Sequence, residues 1–526
     1  MENRNKELRD KPAEFMLTPE ESLCPVIFYK RNIVNEISSD FTLPDYLPEI
    51  RKMLGIRPRL SPISRYIGGN NIEFSGRIDY DMLYVGSDGM IASAPLGADF
   101  AFELQPEIPQ YIQWDSSNDA FANVEIDMLH CRVTAQRKVN VKCRLNAFVW
   151  VCGSDETEGE AKHHIKGAER LSEEICSVTV KRRMSEVFDL TDEISLEGDS
   201  ENLSPLAGNG DVVISSITRQ DNAFLCKGEV NLKILLGNAE DKSTKHLTKA
   251  IPFSEEIDAN EFSKSPRDDA LCCIARGICG EIKMNIEAGT LMVESEVILE
   301  ADIAESSVIT VTKDMFIPGK QSQQHYRDFK FETLEKCANG RAKLWGTIPL
   351  SELSMSSESR IIDVIPLLRT EGLDTDGRQC LITGNCKMRI IFKNGDEYSF
   401  ADTSLPFSFD SGAEIKGQKP SLIASSSISA LNCIIDGDNL LCEGEISIPY
   451  CITEEHTTML ASKTEIGDSK PGAFKGITVY YPTKNETLWS VAKQFGKPLR
   501  EIAEANDLPS IKGNQDVSSK GFMLIY

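Results

Sequence analysis

Nowhere in the 526-residue chain is there a run approaching the roughly 18 apolar residues of a membrane-spanning helix. The first ten residues, Met1 to Asp10, are charged and lack the apolar core of a signal peptide, so a cytoplasmic location is expected. The sequence has no G-x-S-x-G, H-E-x-x-H, Walker A loop or dinucleotide fingerprint, which removes the usual signals of an activated nucleophile, a zinc hydrolase or a nucleotide cradle. Histidine is scarce, six in all, and isolated except for His163-His164. That pair follows Asp155-Glu-Thr-Glu-Gly-Glu160, a composition that a solvated linker explains better than a metal site. The fifteen cysteines form no C-x-x-C pair and end at Cys451. Odd in number and set in apolar runs such as Leu271-Cys-Cys-Ile274, they read as reduced thiols serving as small hydrophobic residues. No catalytic group, metal or cofactor is therefore expected.

Basic charge is also short: 57 Lys and Arg stand against 81 Asp and Glu, a formal net charge of −24. Residues 476–526 hold six Lys/Arg and five Asp/Glu, leaving 51 against 76 elsewhere. So acidic a body repels nucleic acid and anionic lipid head groups, and the near-neutral C-terminal segment is the expected docking end. The length calls for three or four domains.

What the chain has in abundance is period-2 alternation, and it repeats. Asn71 to Tyr84, Ala223 to Leu236 and Gln379 to Phe392 each place a glycine (Gly76, Gly228, Gly384) after an apolar stretch and before alternating apolar and polar residues. Such a pattern predicts a strand with one buried face, and the mid-strand glycine predicts a bulge or a close backbone approach. A second strand signal follows each glycine: Phe100 to Glu103, Pro252 to Ser254 and Pro406 to Phe409. Long strand pairs come next: Val124 to Thr134 with Lys138 to Val149, Leu271 to Ile286 with Leu291 to Leu299, and Leu422 to Ile435 with Leu440 to Ile448. The openings of the second and third copies also correspond, Thr179 to Met184 against Thr310 to Met315. Asp79, Asp81 and Glu229 alternate with apolar residues and are expected to face solvent. Helical periods are few. Leu47 to Leu54, with Asp45 and Glu49 at its start, is one short candidate, and Ala161 to Cys176 is a connector candidate.

The fold class expected is mainly β: three tandem antiparallel β-rich units of sandwich or barrel type, then a small α+β domain. The boundaries predicted are a flexible tail at 1–24, units at 25–153, 175–305 and 306–453, linkers at 154–174 and 454–475, and the small domain at 476–526.

In that last segment Leu488, Val491, Ala492 and Phe495 make one apolar stripe on a two-turn helix. Glu486 and Thr487 stand at its start and Gly496 stops it. Pro498 opens a second helix, with Leu499, Ile502 and Ala503 facing inward. Ile477, Val479 and Tyr481 alternate on a first strand, and Phe522 to Ile525 form the closing one. Trp489 lies off the stripe, which predicts a partly exposed indole, either an anchor for binding or a structural tryptophan packed at the rim.

This segment resembles a LysM module, a βααβ unit. Thr487, Leu488, Trp489, Ser490, Val491 and Ala492 fall in register with that family, as do Ile502, Asn506 and Leu508. The resemblance implies a binding site built from the loop Lys484, Asn485, Glu486 and Thr487, from Trp489 and Ser490, and from Asn506, Asp507 and Leu508. The family's usual Gly-Asp before the threonine is here Asn485-Glu486, in the wall of its glycan groove. Leu43-Pro-Asp-Tyr-Leu-Pro-Glu-Ile-Arg-Lys-Met-Leu54 and the strand with Gly76 and Leu83-Tyr84 are similar to the DUF3794 domain of sporulating Firmicutes. DUF3794 copies followed by a LysM resemble the SipL family of clostridial spore-coat morphogenetic proteins. That resemblance implies a non-enzymatic scaffold of the mother cell, recruited to the forespore surface. Its LysM would dock on a SpoIVA-like coat ATPase, and its repeats would contact other coat proteins. The alternative reading is a protein that binds N-acetylglucosamine polymers, peptidoglycan or chitin, in the cell wall or spore cortex. A wall-modifying enzyme is a second rival.

Overall fold

Antiparallel pairing organises almost every described segment. The computed structural model describes residues 23–114, 119–156, 167–184, 187–196, 202–238, 240, 243–260, 271–375, 379–415, 419–469 and 476–526. The first unit contains β1 (Leu23–Thr42), β2 (Ile50–Leu60), β3 (Ser64–Gly68), β4 (Asn71–Gly86), β5 (Ile91–Leu104), β6 (Ile112–Gln113), β7 (Ala120–Ala135) and β8 (Lys138–Glu156). The second has β9 (Glu169–Met184), β10 (Phe188–Ser195), β11 (Leu203–Gln220), β12 (Ala223–Asn238), β13 (Thr244–Asp258), β14 (Leu271–Cys279), β15 (Lys283–Glu287) and β16 (Thr290–Phe316). The third has β17 (Lys320–Pro349), β18 (Arg360–Thr375), β19 (Cys380–Asn394), β20 (Glu397–Asp410), β21 (Pro420–Ala424), β22 (Ser427–Asp436) and β23 (Asn439–Ser469). The chain closes with β24 (Thr478–Tyr480), α1 (Leu488–Phe495), α2 (Leu499–Ala505) and β25 (Met523–Ile525). The protein is mainly β, and no helix among the described residues is long and apolar enough to cross a membrane.

One plan recurs three times. In each unit the first strand pairs with the last, β1 with β8, β9 with β16 and β17 with β23. A hairpin partner pairs on the last strand's other side: β7, β14 with β15, and β21 with β22. A second sheet holds the glycine-bearing strand at its centre: β2-β4-β5, β11-β12-β13 and β18-β19-β20. Alternation turns one face of each sheet inward, and the inner faces make one core per unit.

The glycines do what the pattern predicts. Gly76, Gly228 and Gly384 lie directly opposite Phe100, Phe253 and Phe407 on the next strand. Each aromatic ring covers the place where a glycine side chain would stand: a Cβ on Gly384 would lie 2.2 Å from Phe407 Cζ. On the other side the neighbouring strand breaks register, with bulges at Ile214/Ser216 and Thr370/Gly372. In the first unit it stops at Leu60 and resumes at Ser64.

The units do not hang as beads. Leu83, Leu235 and Ile391, each seven residues after its glycine, meet in a single apolar cluster. Equivalent positions converge in this way only around an approximate threefold axis. Two more clusters draw on all three units, one around Trp150, Val178, Ile274 and Cys451 and one around Cys24, Ile175 and Phe329. The Trp150 Nε1–H donates to the Val180 carbonyl across the first boundary at 3.4 Å. Ion pairs also cross between units, Arg57 with Asp363 at 3.0 Å and Arg327 with Asp155.

Several expectations are corrected. Leu47 to Leu54 is not helical: from Ile50 it is strand β2, with Leu54 buried between the units. A short apolar run carries no decisive period, and pairing with β4 decides it. Of the connector candidate, 167–168 is a turn and 169–176 is strand β9; 161–166 lie outside the described residues. The boundary at 305/306 falls inside β16, and 454–469, expected as linker, is the second half of β23. Thr310 to Met315 therefore ends the second unit, pairing with Arg170 to Glu174, and does not open the third. Residues 1–22, 157–166 and 470–475, parts of the expected tail and linkers, and His163-His164 with them, lie outside the described residues. Asp155, expected in a solvated segment, is buried and paired with Arg327. Asp79, Asp81 and Glu229 are half-buried, and Asp81 is paired with Arg59.

Candidate functional site

The C-terminal module builds itself from its own caps. Thr487 is the N-cap of α1: its side chain accepts from the Ser490 N–H, and Ser490 Oγ accepts from the Thr487 N–H at 3.0 Å. This reciprocal pair satisfies two helix-end donors. Gly496 closes the helix in the left-handed region, φ 62°. Pro498 precedes α2, whose Leu499, Ile502 and Ala503 are buried. Val517 and Met523 complete the core with Leu488 and Val491.

Most of the residues that sequence reasoning assigned to binding are occupied within the fold. Glu486 accepts from the Tyr480 hydroxyl and the Thr483 N–H, both at 2.6 Å, and the tyrosine holds its carboxyl below the usual range. Asn506 donates to the Ile502 and Leu524 carbonyls and accepts from the Leu524 N–H at 2.6 Å, stitching α2 to β25. Leu508 packs on the module core. Lys484, Asn485, Ser490 and Asp507 are exposed, with Asn485 and Asp507 at positive φ in their turns.

Trp489 is the main correction. Its side chain is only 5% exposed, because the module is seated on the second unit. The indole meets Phe316 edge-on at 5.0 Å and donates through Nε1 to Asp314 Oδ2 at 2.8 Å. Lys493 donates to both oxygens of the same carboxylate, at 2.7 and 2.6 Å. Asp314 sits at a register shift in β16, and such a shift re-aims the side chains beside it. The Gly319 N–H donates to the Gly496 carbonyl at 2.9 Å, and Leu171 packs against the same core. Position off the helical stripe predicts exposure, but the off-stripe face is the one that meets another unit.

The surface the sequence reading missed lies on the other side. β24 and β25 pair Thr478 with Ile525, Val479 with Leu524 and Tyr480 with Met523. That register puts Ile477, Val479 and Tyr481 on the same face as Phe522, Leu524 and Tyr526. The face points outward: Tyr481 is 68% exposed, Ile477 64% and Phe522 55%. The inner residues, Tyr480, Met523 and Ile525, are apolar too. A strand apolar on both faces is the signal that could have found it, since one face is enough for the core.

A concave feature lies where the three units meet. A cavity of about 290 Å³ is lined by Asn123 and Glu125 of the first unit, Asp211 and Arg276 of the second, and Leu368 and Ser426 of the third. Arg276 donates to Glu300 at 2.6 Å and to Asn123 at 3.2 Å. Burial pushes the Glu125 carboxyl up to about 7, against the pull of Arg276, of a hydrogen bond from Thr370 and of Arg369. An unfolded glutamate titrates at about 4.3, so between these values the native state holds a proton that the unfolded chain has released. The stabilisation by that proton is complete below about pH 4 and is lost as the pH rises through about 7. Glu125→Gln is therefore expected to melt with the parent near pH 4 and above it near pH 8, a gap of roughly 3 kcal/mol. Thermal melts at both pH values check this, and an equal difference at each would refute it.

Among the described residues, two groups bring metal-ligand atoms within 4.8 Å of one another: Glu335, Glu454 and His456, and Cys272, Cys337 and Cys451. In the first, the Thr333 hydroxyl already bridges Glu335 at 2.6 Å and His456 at 2.9 Å, and His456 stacks on Phe331. That is a hydrogen-bonded polar patch between two strands. Compared with family models, with curated proteins and with solved structures, the chain finds no match.

Proposed function

We propose that this chain is a non-enzymatic scaffold of the spore coat, made in the mother cell and recruited to the forespore surface. Its C-terminal segment is a LysM-type module that docks on a SpoIVA-like coat ATPase, and the three β-units space it from other coat proteins. The observation that carries this reading is the outward apolar face of Ile477, Val479, Tyr481, Phe522, Leu524 and Tyr526. An aromatic-rich exposed face of this kind suits a protein partner. The acidic body keeps copies apart while the near-neutral module approaches.

The test uses the full chain and the purified ATPase. Val479→Asp and Tyr481→Asp place a charge at the face without entering the core, and each is expected to weaken binding by about 2 kcal/mol or more, roughly thirtyfold. Arg500→Ala, on the exposed side of α2, is expected to bind as the parent does. Unchanged binding in both aspartate variants would remove the outward face from the contact, and no ATPase binding together with firm sedimentation on insoluble peptidoglycan or chitin would replace this reading with the glycan-binding one.

A further inference from the structure

The sequence spaces Cys272, Cys337 and Cys451 so far apart that no ligand motif connects them. The fold brings them to one point. Cys337 and Cys451 are directly opposite on β17 and β23, and Cys272 reaches them from β14 of the second unit. Their sulfurs all lie within 4.8 Å of one another. The surroundings are apolar, with Phe121, Trp150, Ile274, Ala304 and Ile423 in the same cluster. Cys451 is buried while Cys272 and Cys337 are half-buried, which leaves a route in.

We propose that these three cysteines form a trigonal all-sulfur site for a soft monovalent metal ion, Cu(I), clamping the second unit to the third. Three sulfur donors with no imidazole or carboxylate among them fit Cu(I), whereas zinc in a closed site takes four ligands. On binding, each thiol that becomes a ligand releases its proton to solvent, so affinity rises with pH. No change of oxidation state is involved. The bridge between strands of different units gives the ion a structural task, since a ligand held only by the folded state stabilises it.

The experiment is an anaerobic Cu(I) titration of the reduced, metal-free full chain against a bathocuproine chelator. The parent is expected to withdraw one equivalent that Cys272→Ser, Cys337→Ser and Cys451→Ser each hold at least about 100-fold more weakly, as even a lost supporting partner costs up to that much. Cys433→Ser/Cys442→Ser removes the other close thiol pair, whose sulfurs are 3.0 Å apart, and is expected to keep the tight equivalent. X-ray absorption at the copper edge of the parent should report three sulfur donors, a readout that does not depend on any variant folding. The proposal is overturned if the three single variants bind like the parent, if the Cys433/Cys442 variant loses the tight equivalent, or if the parent's copper shows nitrogen or oxygen donors.

Discussion

Gly384→Val is expected to lower the midpoint of the first unfolding transition by an amount equivalent to about 3 kcal/mol or more, at the upper end of overpacking costs. A Cβ there would stand 2.5 Å from the Arg369 carbonyl oxygen as well as against the Phe407 ring. A ring can swing away, but a carbonyl fixed in a sheet cannot. Gly228 meets the same obstacle, the Val213 carbonyl oxygen at 2.3 Å, whereas Gly76 meets only side chains, Phe100 at 2.8 Å and Ile63 at 3.0 Å. The order of destabilisation for alanine at the three sites is therefore Gly384 and Gly228 first, Gly76 well behind. Phe100→Leu should relieve Gly76→Ala, and Phe407→Leu should leave most of the Gly384→Ala cost in place. Denaturant melts of the full chain measure all of these. Equal costs at the three positions would mean that the bulged neighbour strands yield and that the backbone approach is not the constraint.

The same glycines show what was legible in the sequence. A glycine in mid-strand followed by a phenylalanine some two dozen residues later encodes two features that neighbour each other in the sheet, so a one-dimensional pattern carries them. The hairpins were legible for the same reason, since the Ala288-Gly289 turn, both residues at positive φ, and the positive-φ Gly437 sit between the strands they join. Helix caps at Thr487 and Gly496 are local and were read correctly. Unit boundaries were not, because β16 and β23 are 27 and 31 residues long and run on past the hairpin pattern. Their far ends pair with β9 and β17, which lie at the other end of each unit's sequence. The arrangement about a common axis, the three-sulfur cluster and the seat of the module on Asp314 share that character. Each joins residues whose chain separation leaves no periodic trace. For the module, the sequence identified the helices and the core but assigned Trp489 to the wrong surface, since a stripe defines what faces the module's own core and says nothing of a second contact.

Trp489→Ala is expected to unfold the module, while Asp314→Ala is expected only to unseat it. The indole is buried between its own helix and Phe316, and removing a tryptophan from such a place costs about 3–5 kcal/mol. A unit of some fifty residues has little stability to lose. Asp314→Ala instead removes the carboxylate that the indole N–H and the Lys493 ammonium share, a loss of about 1–3 kcal/mol that falls on the contact and not on the core. Hydrogen exchange separates the two: amides of α1 lose protection in Trp489→Ala and keep it in Asp314→Ala, while limited proteolysis degrades residues 476–526 in Trp489→Ala and releases them intact in Asp314→Ala. The proposed ATPase binding adds a functional arm. Asp314→Ala leaves the outward face of β24 and β25 intact and should bind undiminished. If Trp489→Ala keeps full protection and loses only ATPase binding, the indole contacts the partner after all, and the seat on the second unit is not its resting place.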